Sequence, residues 1–121
     1  MRSKWSSPDG EILFKVKTST VQNEYEINLP TVGQYRDIEV YKQMLSNGMY
    51  ASLVTSATNS AMNALDIIDI EATLRVLCPK FMEDLKCEIR DLGLKDFAVI
   101  KEAFNRDVKP LADEIEKLMK I

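Results

Sequence analysis

The spacing of apolar residues changes once along this chain, at Pro30, and that change constrains the fold more than any other feature. Before Pro30 the spacing is two. Ile12, Phe14 and Val16 alternate with Leu13, Lys15 and Lys17, and Tyr25, Ile27 and Leu29 alternate with Glu24, Glu26 and Asn28. Side chains on a strand point alternately to its two faces, so each segment reads as a strand with one apolar face. An antiparallel pairing of Lys15 with Glu26 and Lys17 with Glu24 satisfies both faces at once. It sets Val16 against Tyr25, Phe14 against Ile27 and Ile12 against Leu29, with residues 19–22 as the loop. Residues 6–11 (Ser-Ser-Pro-Asp-Gly-Glu) carry the order of a tight turn. With residues 4–6 as a further short strand, residues 1–30 are expected to form a three-stranded antiparallel β-meander.

After Pro30 the spacing becomes helical. Thr31 followed by Gln34 is a capping box, in which each side chain satisfies the other residue's backbone N–H. Val32, Tyr35, Ile38, Tyr41 or Lys42, and Leu45 then share a face, and Asn47-Gly48 supplies a left-handed stop. Residues 51–63, rich in Ser, Thr and Ala, read as a loop that begins as a short helix, as a site of close helix approach, or as an adaptable contact surface. Residues 59–78 are apolar around nearly the whole circumference, the pattern of a central buried helix. Asp66 and Asp69 make a thin polar stripe there, and Glu71 and Arg75 stand four apart, the spacing of a helical ion pair.

Pro79 ends that helix. Residues 80–93 form the next, with Gly93 as its C-cap, and Asp96 caps the last, residues 96–121. Its stripe is Phe97, Ile100, Phe104, Val108, Leu111, Ile115 and Leu118. Pro110 removes one amide and is expected to kink or split it near Asp107. The part beyond Pro110 has two readings: it packs on its own domain, or it lies in a partner's groove. The expected architecture is therefore α+β, a β-meander followed by about four helices. No linker divides the chain, so residues 1–121 read as a single domain.

Chemistry-bearing residues are sparse. There is no histidine, no GxSxG and no Gly-rich phosphate loop, so the Ser/Thr-rich stretch lacks the base that activates a nucleophile. Asp66, Asp69, Glu71 and Glu83 are the one acidic grouping, with no second one opposed across a cleft as glycosidase chemistry requires. Cys78 and Cys87 fit neither a CxxC pair nor a zinc cluster, and read as reduced thiols with at least one buried. No catalytic, metal or cofactor residue is assigned, and the chain does not read as an enzyme. The net charge is −3, and Lys and Arg are interspersed with Asp and Glu, so a nucleic-acid surface is not expected. No apolar run is long enough to span a membrane, and the N-terminal residues lack the apolar core of a signal peptide.

The order of these parts is a short β-meander leading into LPTVGQYRDIE, a helix ending LSNGMY, a Ser/Thr-rich stretch, NALDIIDIEATLRVLCP, and a final amphipathic helix. From about Glu11 onward it resembles small tail-assembly-chaperone-like proteins of tailed bacteriophages and similarly sized phage structural proteins. The resemblance implies a non-catalytic protein that coats a tape-measure protein, an extended and largely helical chain, until tail-tube subunits displace it. It implies the host cytoplasm or the virion as the setting, a protein partner, and self-association as a further expectation. The alternatives are a permanent virion or packaged internal protein and a small regulatory binding module. The candidate partner-binding surface joins Tyr41, Met44, Met49 and Tyr50 to Leu111, Ile115, Leu118 and Met119, because thioethers and aromatic rings suit adaptable contacts.

Overall fold

The computed structural model describes residues 12–120, and the fold is α+β. The expected strand at residues 4–6, the turn at 6–11 and the terminal Ile121 lie outside the described residues. Two strands, β1 (Ile12–Lys17) and β2 (Gln22–Ile27), precede six α-helices. These are α1 (Val32–Leu45), α2 (Tyr50–Thr55), α3 (Asn59–Leu77), α4 (Pro79–Leu85), α5 (Leu94–Asp107) and α6 (Lys109–Met119), with one 3-10 turn at Ile89–Asp91. Six helices thus replace the four or so expected, and among the described residues the sheet has two strands. Where the sequence reading treats the chain as one domain, its contacts gather into two compact units: residues 12–29 with 80–120, and Pro30–Pro79.

In the first unit β1 and β2 pair antiparallel, but Lys15 faces Glu24, Phe14 faces Tyr25 and Ile12 faces Ile27. The expected pairing of Lys15 with Glu26 is corrected, and the loop is the cause. Thr18 donates its N–H to the Val21 carbonyl at 2.7 Å, and its Oγ1 accepts from the Val21 N–H at 3.0 Å. This closed turn buries Val21 and fixes the register. The slip is an even number of residues, so every side chain keeps the face its alternation assigned. Phe14, Tyr25 and Phe81 then cluster, with Phe81 edge-on to both other rings at 5.4 and 5.5 Å. The Tyr25 hydroxyl reaches Asp84 at 2.7 Å.

The expected helix over residues 80–93 is broken. α4 stops at Leu85, and Lys86 takes a left-handed backbone with φ 60°. That conformation costs about 1 kcal/mol for a residue with a Cβ; the turn it makes lies between Leu85 and Ile89, both of which are buried. Gly93 is not a C-cap; with φ −67° it is the N-cap of α5. Asp96 is not a cap either, since it lies within α5 and bonds to the hairpin loop. Its carboxylate accepts from the Ser19 N–H at 3.1 Å and the Ser19 hydroxyl at 2.5 Å. α5 and α6 are separate helices divided at Val108, with Pro110 in the first turn of α6, where a missing N–H costs least.

In the second unit, the Thr31 Oγ1 accepts from the Gln34 N–H at 3.1 Å, and Gln34 Oε1 accepts from the Thr31 N–H at 3.0 Å. α1 ends in a left-handed turn at Asn47 (φ 53°) and Gly48 (φ 76°). There Gly48 donates to the Gln43 carbonyl at 2.8 Å and Asn47 to that of Met44 at 3.2 Å, the Schellman pattern. The Ser/Thr-rich stretch becomes α2, a short link, and Thr58, whose hydroxyl caps α3 by accepting from the Ala61 N–H at 3.1 Å. On α3 the consecutive residues Ile70, Glu71, Ala72, Thr73 and Leu74 are all buried, so this stretch is enclosed on every side, whereas Asn59, Ser60, Met62, Asn63 and Ile67 in the first half are exposed.

Candidate interaction surfaces

α6 carries half of the sequence-predicted surface. Leu111, Ile115 and Leu118 recur at steps of four and three, which places them on one helix face. Their exposure grades along the helix: Leu111 is 0% exposed, Ile115 is half-buried, and Leu118 and Met119 are 57% and 55% exposed. Leu111 is therefore a core residue, and its placement among the partner contacts is corrected: an enclosed side chain has no surface to offer. The open end of the stripe is Ile115, Leu118 and Met119.

The other half lies in the second unit. Met44 and Met49 are 64% and 55% exposed, at the end of α1 and just before α2. Val40, one turn before Met44, is also exposed and was not singled out by sequence, nor was Val54; Met62, a thioether of the same adaptable kind, is exposed as well. Tyr41 and Tyr50 are half-buried and tied to polar partners. The Arg75 guanidinium stands 5.6 Å above the Tyr41 ring, and Tyr50 donates its hydroxyl to Asp69 Oδ1 at 2.6 Å.

Around Tyr50 the charges are arranged as a tether. Lys42 Nζ bonds Glu39 at 2.9 Å, lies 3.9 Å from Asp69 and stands 5.5 Å over the Tyr50 ring. Burial pushes the Asp69 carboxyl above its usual range, against the Tyr50 hydrogen bond and the Lys42 charge, which pull it down. Burial and the adjacent Asp69 push the Tyr50 phenol above its own range, so it stays a protonated donor. Nearby, Glu71 is buried and accepts from Arg75 Nη2 at 3.0 Å. Asp69 and Glu71 thus serve α2–α3 and α3 contacts, and neither belongs to a freely solvated acidic stripe.

Among the described residues, no group of three or more His, Cys, Asp or Glu side chains could hold a metal ion. Cys78 is buried and Cys87 exposed, and no disulfide joins them. No helix among the described residues is long and apolar enough to cross a membrane. The first unit has an open groove of about 780 Å³, lined by Lys15, Lys17, Glu24, Val99, Glu102 and Arg106 among others. Its lining has charges of both signs and no nucleophile paired with a base.

One further contact borders this groove and has no sequence signal. Lys15 donates its backbone N–H to Asp107 Oδ2 at 2.8 Å, and Arg106 Nη2 donates to the Lys15 carbonyl at 2.6 Å. Arg106 and Asp107 are themselves paired, Nε to Oδ1 and Nη2 to Oδ2, both at 2.9 Å.

Compared with protein-family models, with curated proteins and with solved structures, the chain finds no match.

Proposed function

We propose that this chain is a non-catalytic interaction protein of a tailed bacteriophage: a tail assembly chaperone whose client is an extended helical chain of the tape-measure kind. The observation that supports the reading is the stripe of α6, anchored by Leu111 and open at Ile115, Leu118 and Met119. Apolar side chains at helical spacing are what helix-in-groove contacts use, and thioethers repack against varied surfaces at little cost. Met44 and Met49 offer side chains of the same kind on the second unit. A protein that coats a long client in many copies and is later displaced needs each contact to be small, and a contact made by Ile115, Leu118 and Met119 meets that need. The host cytoplasm is the setting of this role, and the virion is the setting if the protein stays with the particle.

The test is purification of the tagged chain from infected cells, with mass spectrometry of what accompanies it. A long tape-measure-like chain, lost when Leu118→Ser and Met119→Ser are combined, is the expected result. Recovery of capsid or portal proteins alone rejects the proposal. Finding the chain at fixed stoichiometry in finished particles selects a permanent virion component instead.

A further inference from the structure

We propose that the Arg106–Asp107 pair is a gate on the sheet, holding the edge of β1 shut against the β2 edge of a second copy of this chain. In an antiparallel pair, alternate residues turn their N–H and C=O toward the partner strand and the rest turn theirs outward. Lys15 is of the outward kind, because both of its backbone groups are bonded to side chains of α5: the N–H to Asp107 and the C=O to Arg106. Leu13 and Lys17, two residues either side, share its orientation.

A neighbouring strand would offer Lys15 one acceptor and one donor. The paired carboxylate and guanidinium offer the same two, at hydrogen-bond distance and locked together by their own two contacts. The pair is thus a side-chain substitute for one peptide unit of a strand. Unsatisfied strand edges recruit other chains, and covering them is a recurrent defence.

The occupant it excludes follows from charge. Lys15 pairs with Glu24 and Leu13 with Glu26, so the side chains of Lys15, Lys17, Glu24 and Glu26 all project from the same, exposed face of the hairpin. The β1 edge of that face is basic and the β2 edge acidic. A second copy of β1 against β1 in antiparallel register would set Lys15 against Lys15, which is repulsive. The β2 edge of a second copy would set Glu24 and Glu26 against Lys15 and Lys17. Such a contact joins two different edges, so it is heterologous, and unless its rotation closes a ring it adds copies head to tail. The gate therefore limits sheet-mediated growth of the chain. This is independent of the client reading, which uses α6.

The experiment compares full-length wild type with Asp107→Ala by sedimentation velocity over a hundredfold range of concentration, alongside amide exchange at Lys15. The variant is expected to exchange the Lys15 amide at least tenfold faster and to form species that grow with concentration beyond those of wild type. Adding Glu24→Lys and Glu26→Lys is expected to return it to the wild-type distribution. Should Asp107→Ala fail to fold by circular dichroism, Asp107→Ser, which is polar but one bond too short to reach the Lys15 amide, takes its place in the same comparison. A folded variant with faster Lys15 exchange and an unchanged size distribution overturns the proposal. So does a Lys15 amide that exchanges no faster, or growth that the two lysine substitutions leave intact.

Discussion

The Tyr50 hydroxyl and the Asp69 carboxylate meet at 2.6 Å and fasten α2 to α3. Each partner depends on the other's protonation state. Asp69 is held above its ordinary range chiefly by burial, so its proton is bound more tightly in the folded chain than in the unfolded one. Stability from this group is greatest below the unfolded carboxyl value and falls as pH rises through the folded one. Asp69→Asn keeps an acceptor for Tyr50 and removes the titration. Urea midpoints measured across the acid range, from pH 3.5 upward, should decline less with rising pH in the variant; an unchanged slope would show that Asp69 does not couple to folding.

Tyr50→Phe removes the donor and leaves Asp69 without its short hydrogen bond. A loss of about 1–2 kcal/mol is expected at neutral pH, in keeping with a part-buried bond to a charged acceptor. Because the folded phenol titrates above its ordinary range, wild type should also lose stability above pH ~10, and the variant should lack that alkaline component. Alkaline unfolding curves for the two proteins provide the check.

Glu71 is buried and Arg75 is its partner one turn on. Arg75→Met strips the charge from one side and should cost about 3–5 kcal/mol, the usual penalty for stranding a buried charge. Replacing both, with Glu71→Leu added to Arg75→Met, should recover most of that loss. A double variant as unstable as the single one would place the cost in the guanidinium's packing over Tyr41.

Ser19 and Asp96 connect the hairpin loop to the first turn of α5. The two Ser19 donors hold the Asp96 carboxyl below its usual range. A carboxyl lowered by folding stabilises above its unfolded value and loses that contribution as pH falls through the folded one. Asp96→Ala should therefore raise amide exchange at Ser19 and reduce acid sensitivity below pH ~4. Exchange at Ser19 equal to wild type would exclude the tie.

Leu111 and Leu118 share one helical stripe but differ in burial. Leu111→Ala should destabilise by about 2–5 kcal/mol, as expected for a cavity in a packed core. Leu118→Ser should change stability by no more than about 0.5 kcal/mol and act on partner binding alone. Thermal denaturation of both variants separates the two roles.

Several features were legible in the sequence because their causes are local. The Thr31–Gln34 box, the Asn47-Gly48 stop, the Glu71–Arg75 pair and the alternating faces of the hairpin each involve residues a few positions apart. Backbone geometry carries such residues together wherever the element forms. The apolar circumference of residues 59–78 implied an enclosed helix, and this holds in part: the run from Ile70 to Leu74 is enclosed, and Met62 and Ile67 are exposed.

What the tertiary structure decided depends on distant partners. The register followed the turn at Thr18 and Val21 rather than the best match of charges, because a closed loop leaves the strands one pairing. Asp96 looked like a cap and instead holds Ser19; Asp107 ends α5 close to where the sequence placed the break, and its carboxylate also accepts from the Lys15 N–H. These contacts span 77 and 92 positions, and no spacing rule reaches so far. The stripe from Leu111 to Leu118 is uniform in sequence, yet one end is core and the other is surface. Periodicity sets which side of a helix is apolar, and only packing sets how much of that side is covered.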